Sequence, residues 1–231
     1  MKNVLYTVFI FMLFQSVLLA QKNSEDYFGA WYTLGINHRF TEQFSLTPYA
    51  ELRLYKPTSN YNLTFASLNG NYHFKKNQTI TVAYAYLDID SVFDIDNVPN
   101  TIEHRILEQY AIKHNFKSLN IQHRFRFEQR FLEKTAGNEL QNRFRYRLSL
   151  QYPINKTVYL ALKDEGFINF QDQVFHENRF FVGFGVHILK NTQLHIDYLK
   201  HHIRNNSLNR IQIGLSIKTD SRKPKTSTAQ Q

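Results

Sequence analysis

The chain of 231 residues has no cysteine and little glycine or proline, and these absences exclude several classes of protein. Without cysteine it can have no disulfide scaffold, no thiolate zinc site and no cysteine nucleophile. Eight glycines and five prolines are too few for collagen or a proline-rich repeat. Acidic residues are also scarce, since 19 Asp and Glu face 28 Lys and Arg, for a formal net charge of +9. Aromatic residues are abundant, with 20 Phe and 14 Tyr, which argues for one folded domain and against disorder.

The first twenty residues have the features of a secretory signal peptide. Lys2 supplies a positive charge, residues 4–19 are almost wholly apolar, and Ala20 is a small residue suited to cleavage. The apolar run is about 16 residues long, shorter than the roughly 20 that a membrane-spanning helix needs. We therefore expect export and cleavage after Ala20. No other stretch is long and apolar enough for such a helix, so the mature chain would enter a bilayer only as strands.

Most of the mature chain alternates between apolar and polar residues with a period of two, which predicts strands. In residues 139–152, for example, Phe144 and Tyr146 share one face while Arg143 and Arg145 share the other. Eleven such segments are recognisable: 27–40, 44–56, 61–74, 79–90, 101–116, 120–133, 139–152, 157–170, 177–189, 192–204 and 207–218. The connections between them are alternately short and longer, as in membrane barrels. Residues 219–231 lack periodicity and are expected to form a disordered tail.

Alternation fits a soluble sandwich as well as a membrane barrel, so the composition of the polar face decides between them. The strand centres carry arginine, glutamate and glutamine, whereas lysine is concentrated in turns and in the tail. Arginine pairs bidentately with carboxylates and suits a confined interior. The other face is rich in Phe, Tyr, Leu and Ile for about ten residues per strand, enough to cross a bilayer at a tilt. We predict an all-β fold, a transmembrane antiparallel up-and-down β-barrel of 10–12 strands within residues 21–218, with the arginines in the lumen.

The strand number raises a difficulty of parity. An even number of strands would place both ends of the barrel at one rim, as is usual for bacterial barrels. Eleven strands would place the first and last residues of the barrel at opposite rims. Either the segment 27–40 is not an ordinary wall strand or one of the boundaries differs from the pattern.

Short motifs spread along the mature chain resemble a known family. They are Trp31, Glu51-Leu52-Arg53, Glu103-His104-Arg105 with Gln109, Gln122–Phe131, Arg143–Leu148, Asp164–Asn169, and Asn178-Arg179 followed by Gly183 and Gly185. In this order they resemble the domain-of-unknown-function 2490 family of bacterial outer-membrane β-barrels. The resemblance implies a barrel fold and an outer-membrane location. It implies no activity, because the function of that family is unassigned.

The candidate functional site is a network of charged side chains on the predicted inner face. Its members are Glu51, Arg53, Glu103, Arg105, Arg124, Arg126, Glu128, Arg130, Arg143, Arg145, Arg147, Glu165 and Arg179. The simpler interpretation is structural: the charges pair across strands and fill a narrow barrel, because an unpaired buried charge is costly. The functional interpretation uses the excess of arginine, which would favour anions if the lumen were open.

The sequence argues against two other kinds of site, one for nucleic acid and one for a metal ion. The positive charge does not predict nucleic-acid binding, because arginines enclosed opposite a Phe-rich face are not where phosphates reach. No metal site or cofactor is expected, since the ten histidines are scattered and the acidic loop lacks the glycine and final glutamate of a calcium loop. That loop contains Asp88, Asp90, Asp94 and Asp96.

The sequence therefore predicts a monomeric barrel in the outer membrane, with lipid as its partner and small anions as candidate permeants. Its role would be structural, or that of a narrow anion-favouring conduit, and non-catalytic. The alternative is a lipid-modifying hydrolase or acyltransferase with a site at the outer rim. Candidate residues for that alternative are Lys163-Asp164-Glu165, Asn169 and His176, although for the two carboxylates a salt link to luminal arginine is the simpler interpretation.

Overall fold

The computed structural model describes residues 27–93, 99–171 and 173–222, which form one closed barrel of eleven strands. The strands are β1 (Phe28–Arg39), β2 (Phe44–Leu54), β3 (Tyr61–Lys75), β4 (Gln78–Ile89), β5 (Thr101–Phe116), β6 (Leu119–Lys134), β7 (Gly137–Pro153), β8 (Val158–Asn169), β9 (Glu177–Leu189), β10 (Thr192–Ile203) and β11 (Asn206–Asp220). The predicted fold class and strand number are confirmed. The expected signal peptide and residues 223–231 of the expected tail lie outside the described residues. Thr219 and Asp220, which were assigned to the tail, instead end β11, where they pair with His38 and Arg39 of β1. Within the described ranges, no helix is long and apolar enough to span a membrane.

The barrel closes through a parallel pair of strands. Each strand from β2 to β11 pairs antiparallel with its neighbour in sequence, as does β1 with β2. The closing pair of β1 and β11 is parallel and continuous from Phe28 opposite Asn209 to Arg39 opposite Asp220. With eleven strands that alternate in direction, the first and last strands run the same way, so they pair in parallel. β1 is therefore an ordinary wall strand, and the sheet has no unpaired edge strand among the described residues.

The connections divide between two rims. The turn rim contains the connections 40–43, 76–77, 117–118, 154–157 and 190–191, together with the end of β11. The loop rim contains the connections 55–60, 90–100, 135–136, 170–176 and 204–205, together with the start of β1. Two of the loop-rim connections are themselves only two residues long, so the predicted contrast between the rims is partial. The barrel therefore begins at the loop rim and ends at the turn rim.

Period two places large apolar side chains on the outside of the wall. In β9, Phe180, Val182 and Phe184 are 37%, 45% and 42% exposed, whereas Arg179 and Phe181 on the inner face are buried. The same outward series recurs on other strands, where aromatic and branched residues favour the extended backbone. Such a belt is what a membrane-spanning barrel presents to lipid.

One sector of the inner face differs from the prediction. Where β3, β4 and β5 adjoin, the interior is an apolar cluster rather than a lining of arginine and glutamate. Its buried members are Leu63, Phe65, Ala83, Ala85, Leu87 and Leu107. Alternation does not distinguish this cluster from a lipid-facing series, because both are apolar series with a period of two. The charged network is thus confined by an apolar wall on one side.

Among the described residues, two carboxylates interrupt the outer apolar face near the middle of the strands. Glu108 is exposed at the middle of β5, between Val82 of β4 and Phe127 of β6 in register. Asp164 is exposed near the middle of β8, and its Oδ1 accepts a hydrogen bond of 3.1 Å from Asn178. Such groups are unfavourable against hydrocarbon.

We therefore expect Glu108→Leu to stabilise the protein in a bilayer, by up to about 2 kcal/mol, because it removes a carboxylate from the lipid-facing surface. The measurement is the free energy of unfolding in phospholipid vesicles by denaturant titration. The control is Glu42→Leu in the turn between β1 and β2, where the side chain reaches water. Equal small effects at the two positions would mean that Glu108 does not face lipid.

Candidate functional site: the luminal charge network

All the arginines and glutamates predicted for the luminal network point into the barrel, from β2 and from β5 to β9. Their side chains are buried or half-buried, and Glu103 and Glu128 have no exposed surface. Residues two apart on a strand share a face, so the repeated Arg-x-Arg spacing of β6 and β7 aligns guanidinium groups on the same inner surface. Most of the network lies in the half of the lumen nearer the loop rim, whereas Arg124 and Arg147 lie nearer the turn rim.

Glu128 of β6 is the centre of this network. Its Oε2 accepts hydrogen bonds from Arg143 Nε at 2.8 Å and Nη2 at 2.6 Å, and its Oε1 accepts one from Arg145 Nη1 at 2.6 Å. Guanidinium nitrogens of Arg126 and Arg105 lie 3.7 Å and 3.9 Å from its oxygens. One carboxylate thus compensates charge from three strands.

Two further glutamates bridge arginines in the same way. Glu103 of β5 accepts hydrogen bonds from Arg105 on its own strand and from Arg130 of β6, the latter at 2.7 and 2.9 Å. Glu165 of β8 accepts from Arg124 and from Arg145, whose Nη2 is 2.9 Å away. Charge-assisted bidentate bonds of this kind are among the strongest in proteins.

Glu177, the first residue of β9, belongs to the network but was not predicted. Its Oε1 is 2.5 Å from Arg179 Nη2 and 2.9 Å from His201 Nε2, and its Oε2 accepts from Arg143 Nη1 at 3.2 Å. His176, in the preceding loop, lies 3.8 Å from the same carboxylate. Burial lowers the pKa of His176, so the arginines rather than this imidazole balance the charge of Glu177.

A sequence signal for Glu177 does exist. A glutamate is followed two residues later by an arginine four times on inner faces, including 128 and 130. In three of these pairs, at 51 and 53, 103 and 105, and 177 and 179, the two residues are bonded to each other. Two residues along a strand separate side chains of the same face by about 7 Å, a distance that an arginine spans. The pair at 177 and 179 directly follows a loop, so no alternating residues before Glu177 indicate which face of the sheet its side chain occupies.

Aromatic rings extend the network across the lumen. Trp31 of β1 lies between two guanidinium groups, with Arg53 at 3.8 Å and Arg179 at 4.9 Å from its ring centre. Phe167 of β8 lies beneath Arg145 and Arg179 at 4.6 and 4.7 Å. Cations on ring faces are attracted by the ring quadrupole. These contacts connect the β1–β2 wall with the β7–β9 wall and occupy the cross-section between them.

A separate ion pair depends on a glycine. Asp197 of β10 accepts a hydrogen bond of 2.7 Å from Lys163 of β8, across the intervening strand β9. The residue of β9 opposite Asp197 is Gly183, and a Cβ there would collide with the backbone of Ile196 and Asp197. The missing side chain leaves the space through which Asp197 reaches Lys163.

Arg147 of β7 is the exception in the predicted set. Among the described residues, no carboxylate lies within ion-pair distance of it and no hydrogen bond reaches its buried Nε. Its neighbour in register on β8 is Glu165, whose two oxygens are occupied by Arg124 and Arg145.

Comparison with known proteins assigns the family. The sequence profile of the family described as "Protein of unknown function (DUF2490)" matches residues 28–212, from the start of β1 into β11. The chain belongs to this family. A comparison with curated proteins finds no match. Among solved structures, a similar chain is the NanC porin in a rhombohedral crystal form, at 14% identity and a TM-score of 0.49, over 82% of this chain and 98% of that one. An identity this low carries no information about a permeant.

The residues predicted for a rim enzyme are not brought together in this DUF2490 barrel. Glu165 is bonded to luminal arginines and Lys163 to Asp197, whereas Asp164 points outward from the wall. Asn169 is buried on the inner face near the loop rim, and His176 approaches Glu177 in the loop before β9.

The central position of Glu128 leads to a prediction for this DUF2490 barrel. Glu128→Gln leaves buried arginines without compensating charge, so we expect the free energy of unfolding in detergent micelles to fall by about 3 kcal/mol. The control is Glu139→Gln on β7, whose exposed pair with Lys134 contributes little. Equal stability of the two variants in denaturant titrations would contradict a structural role for the network.

Proposed function

We propose that the chain is a monomeric outer-membrane barrel that favours small anions and that the luminal charge network is its constriction. The apolar outer belt and the signal-like first twenty residues support this location. Lipid is then the partner of the outer face, and small anions are the partners of the lumen.

The observation that carries the proposal is the imbalance of charge in the lumen. Among the described residues, the inner-face cations around the network are Arg53, Arg105, Arg124, Arg126, Arg130, Arg143, Arg145, Arg147, Lys163, Arg179 and Arg210, and others, including Arg39, Lys113 and Lys218, lie nearer the turn rim. The inner-face carboxylates among the described residues of the same region are Glu51, Glu103, Glu128, Glu165, Glu177 and Asp197. The excess of positive charge in a space with low-dielectric walls attracts anions and repels cations.

The packing around Trp31 makes the passage narrow. Trp31, Phe167 and the carboxylates that bind the arginines are nearly or fully buried, so the network leaves no wide aqueous path in this conformation. A conduit of this design conducts only when these side chains rearrange.

The proposal predicts the conductance of the purified barrel in a planar bilayer. The wild-type protein should give small, infrequent events whose reversal potential in a salt gradient indicates anion preference. Trp31→Ala and Phe167→Ala, made separately, should give larger and more sustained events, because each removes a ring that fills the cross-section. Phe184→Ala on the outer face is the control and should behave as wild type. A cation preference, or silence from all the proteins, would contradict the conduit.

A specific cluster favours a second function, modification of lipid. On the outer face near the loop rim, His104 Nδ1 is 2.5 Å from Tyr84 Oη, and His104 Nε2 is 3.7 Å from Glu133 Oε1. Tyr84 also lines an apolar groove on the lipid-facing surface, together with Leu34, Ile36, Pro48, Ala50, Ala66, Leu68 and Tyr86. A base that could activate a water molecule as the nucleophile, a carboxylate beside it and a groove suited to an acyl chain are among the parts that a lipid hydrolase uses.

This second function has its own test. If the cluster is catalytic, the barrel should release fatty acid from phospholipid or lipopolysaccharide, as detected by mass spectrometry, and His104→Ala should abolish the release. His123→Ala is a matched control, since His123 bonds Tyr146 at 2.8 Å on the same outer face but has no carboxylate within ion-pair distance among the described residues. Absence of product with wild-type protein, or equal loss in both variants, would exclude a site at His104.

A further inference from the structure

We propose that Arg147 and Arg124 form a binding site for a small oxyanion, a phosphate or a carboxylate, at the inner end of a chamber open to the turn rim. The inference rests on the proposed function, because it identifies where an anion in the lumen would reside.

The first support is the lack of partners around Arg147. Its nearest carboxylate in register, Glu165, is held by Arg124 on Oε1 and by Arg145 on both oxygens. Within the described part of the chain, Arg147 makes no ion pair within 4.0 Å, and its buried Nε has no hydrogen-bond partner. A guanidinium group has five donors, and leaving them unsatisfied inside a protein is unfavourable. An oxyanion would satisfy them.

The second support is the position of Arg124. It lies directly opposite Arg147 in the register of β6 and β7, where paired side chains have Cβ atoms about 5 Å apart. Like charges in such a pair destabilise a sheet. Arg124 has a bond to Glu165, but its own Nε is buried without a partner. One anion between the two guanidinium groups would remove the repulsion and fill both vacant Nε donors.

Other charged groups nearby do not neutralise this pair. Lys163 lies two residues before Glu165 on β8, opposite Ser149 of β7, and is bonded to Asp197. Arg126, two residues from Arg124 on β6, donates two hydrogen bonds to the neutral amide oxygen of Gln109. Positive charge therefore remains in excess at this level of the lumen. Here the anionic group of a ligand would pair with the arginines, as the protein's own carboxylates do nearer the loop rim.

The third support is the route to the site. From Arg147 toward the turn rim, the inner face carries the exposed cations Lys113 and Lys218. The other residues of this stretch are mostly small or neutral polar residues that are partly exposed. They include Asn37, Thr47, Asn69, Asn71, Gln122, Gln151, Gly183 and Ser216. Toward the loop rim, Glu128 and Trp31 are buried in the network. The approach to Arg147 from the turn rim is therefore the less tightly packed of the two.

The test is the thermal stability of the folded barrel in detergent, titrated with inorganic phosphate, with acetate and with chloride. Binding to the native state raises Tm with a saturable dependence on ligand concentration. We expect such a dependence for phosphate, acetate or both in the wild-type protein, and the anion that acts identifies the class. Arg147→Gln should lose the saturable shift and should itself melt at a higher temperature in low-salt buffer, because an uncompensated cation has been removed.

The control is Arg39→Gln, which removes an inner-face arginine at the turn rim whose side chain bonds backbone carbonyls. It should keep the anion-dependent shift. An identical shift in wild type and Arg147→Gln would identify a general salt effect and overturn the proposal, as would a lower Tm for Arg147→Gln in low salt. Bilayer recordings separate the two claims. A barrel that binds anions at Arg147 but does not conduct would support the binding site and contradict the conduit. Anion-selective conductance without this binding would support the conduit and contradict the site.

Discussion

Enclosing arginine side chains is the constraint on which the rest of this structure depends. A guanidinium group does not lose its charge at physiological pH, so inside a barrel it is costly without an oppositely charged partner. Glu103, Glu128, Glu165 and Glu177 meet this need by serving two or more arginines each. Because the partners lie on different strands, the pairing also fixes the register of β5 to β9. A slip of one residue would turn the arginines toward lipid and the aromatic rings inward.

The outer wall and the closure follow from the same separation of faces. Apolar residues that cannot share the lumen with the network form the outer belt, and a closed sheet leaves no unpaired backbone in contact with lipid. The parallel contact between β1 and β11 completes the cylinder with an odd number of strands. The luminal network and the apolar cluster of β3 to β5 then fill different sectors of one interior. This arrangement leaves the half nearer the turn rim more open than the other.

Much of the fold could be predicted from the sequence because a period of two is a local property. The alternation in β6, β7 and β9 correctly assigned both faces, and the eleven segments correspond to the eleven strands. The parallel closure could not be predicted, since it pairs segments about 180 residues apart in register and alternation carries no information about partners. The apolar inner cluster was missed because its pattern equals that of a lipid-facing series. Glu177 was missed because it stands at the boundary between loop and strand.

The central claim is that the apolar face contacts lipid and the arginine face is enclosed, and the single tryptophan of the chain allows a direct test. Trp31 is 3% exposed and lies in the lumen between Arg53 and Arg179. In vesicles of lipids brominated on their acyl chains, Trp31 should keep most of its fluorescence. A tryptophan at the outer position of Phe184, in a Trp31→Phe background, should be strongly quenched. Equal quenching at the two positions, or stronger quenching of Trp31, would contradict the account.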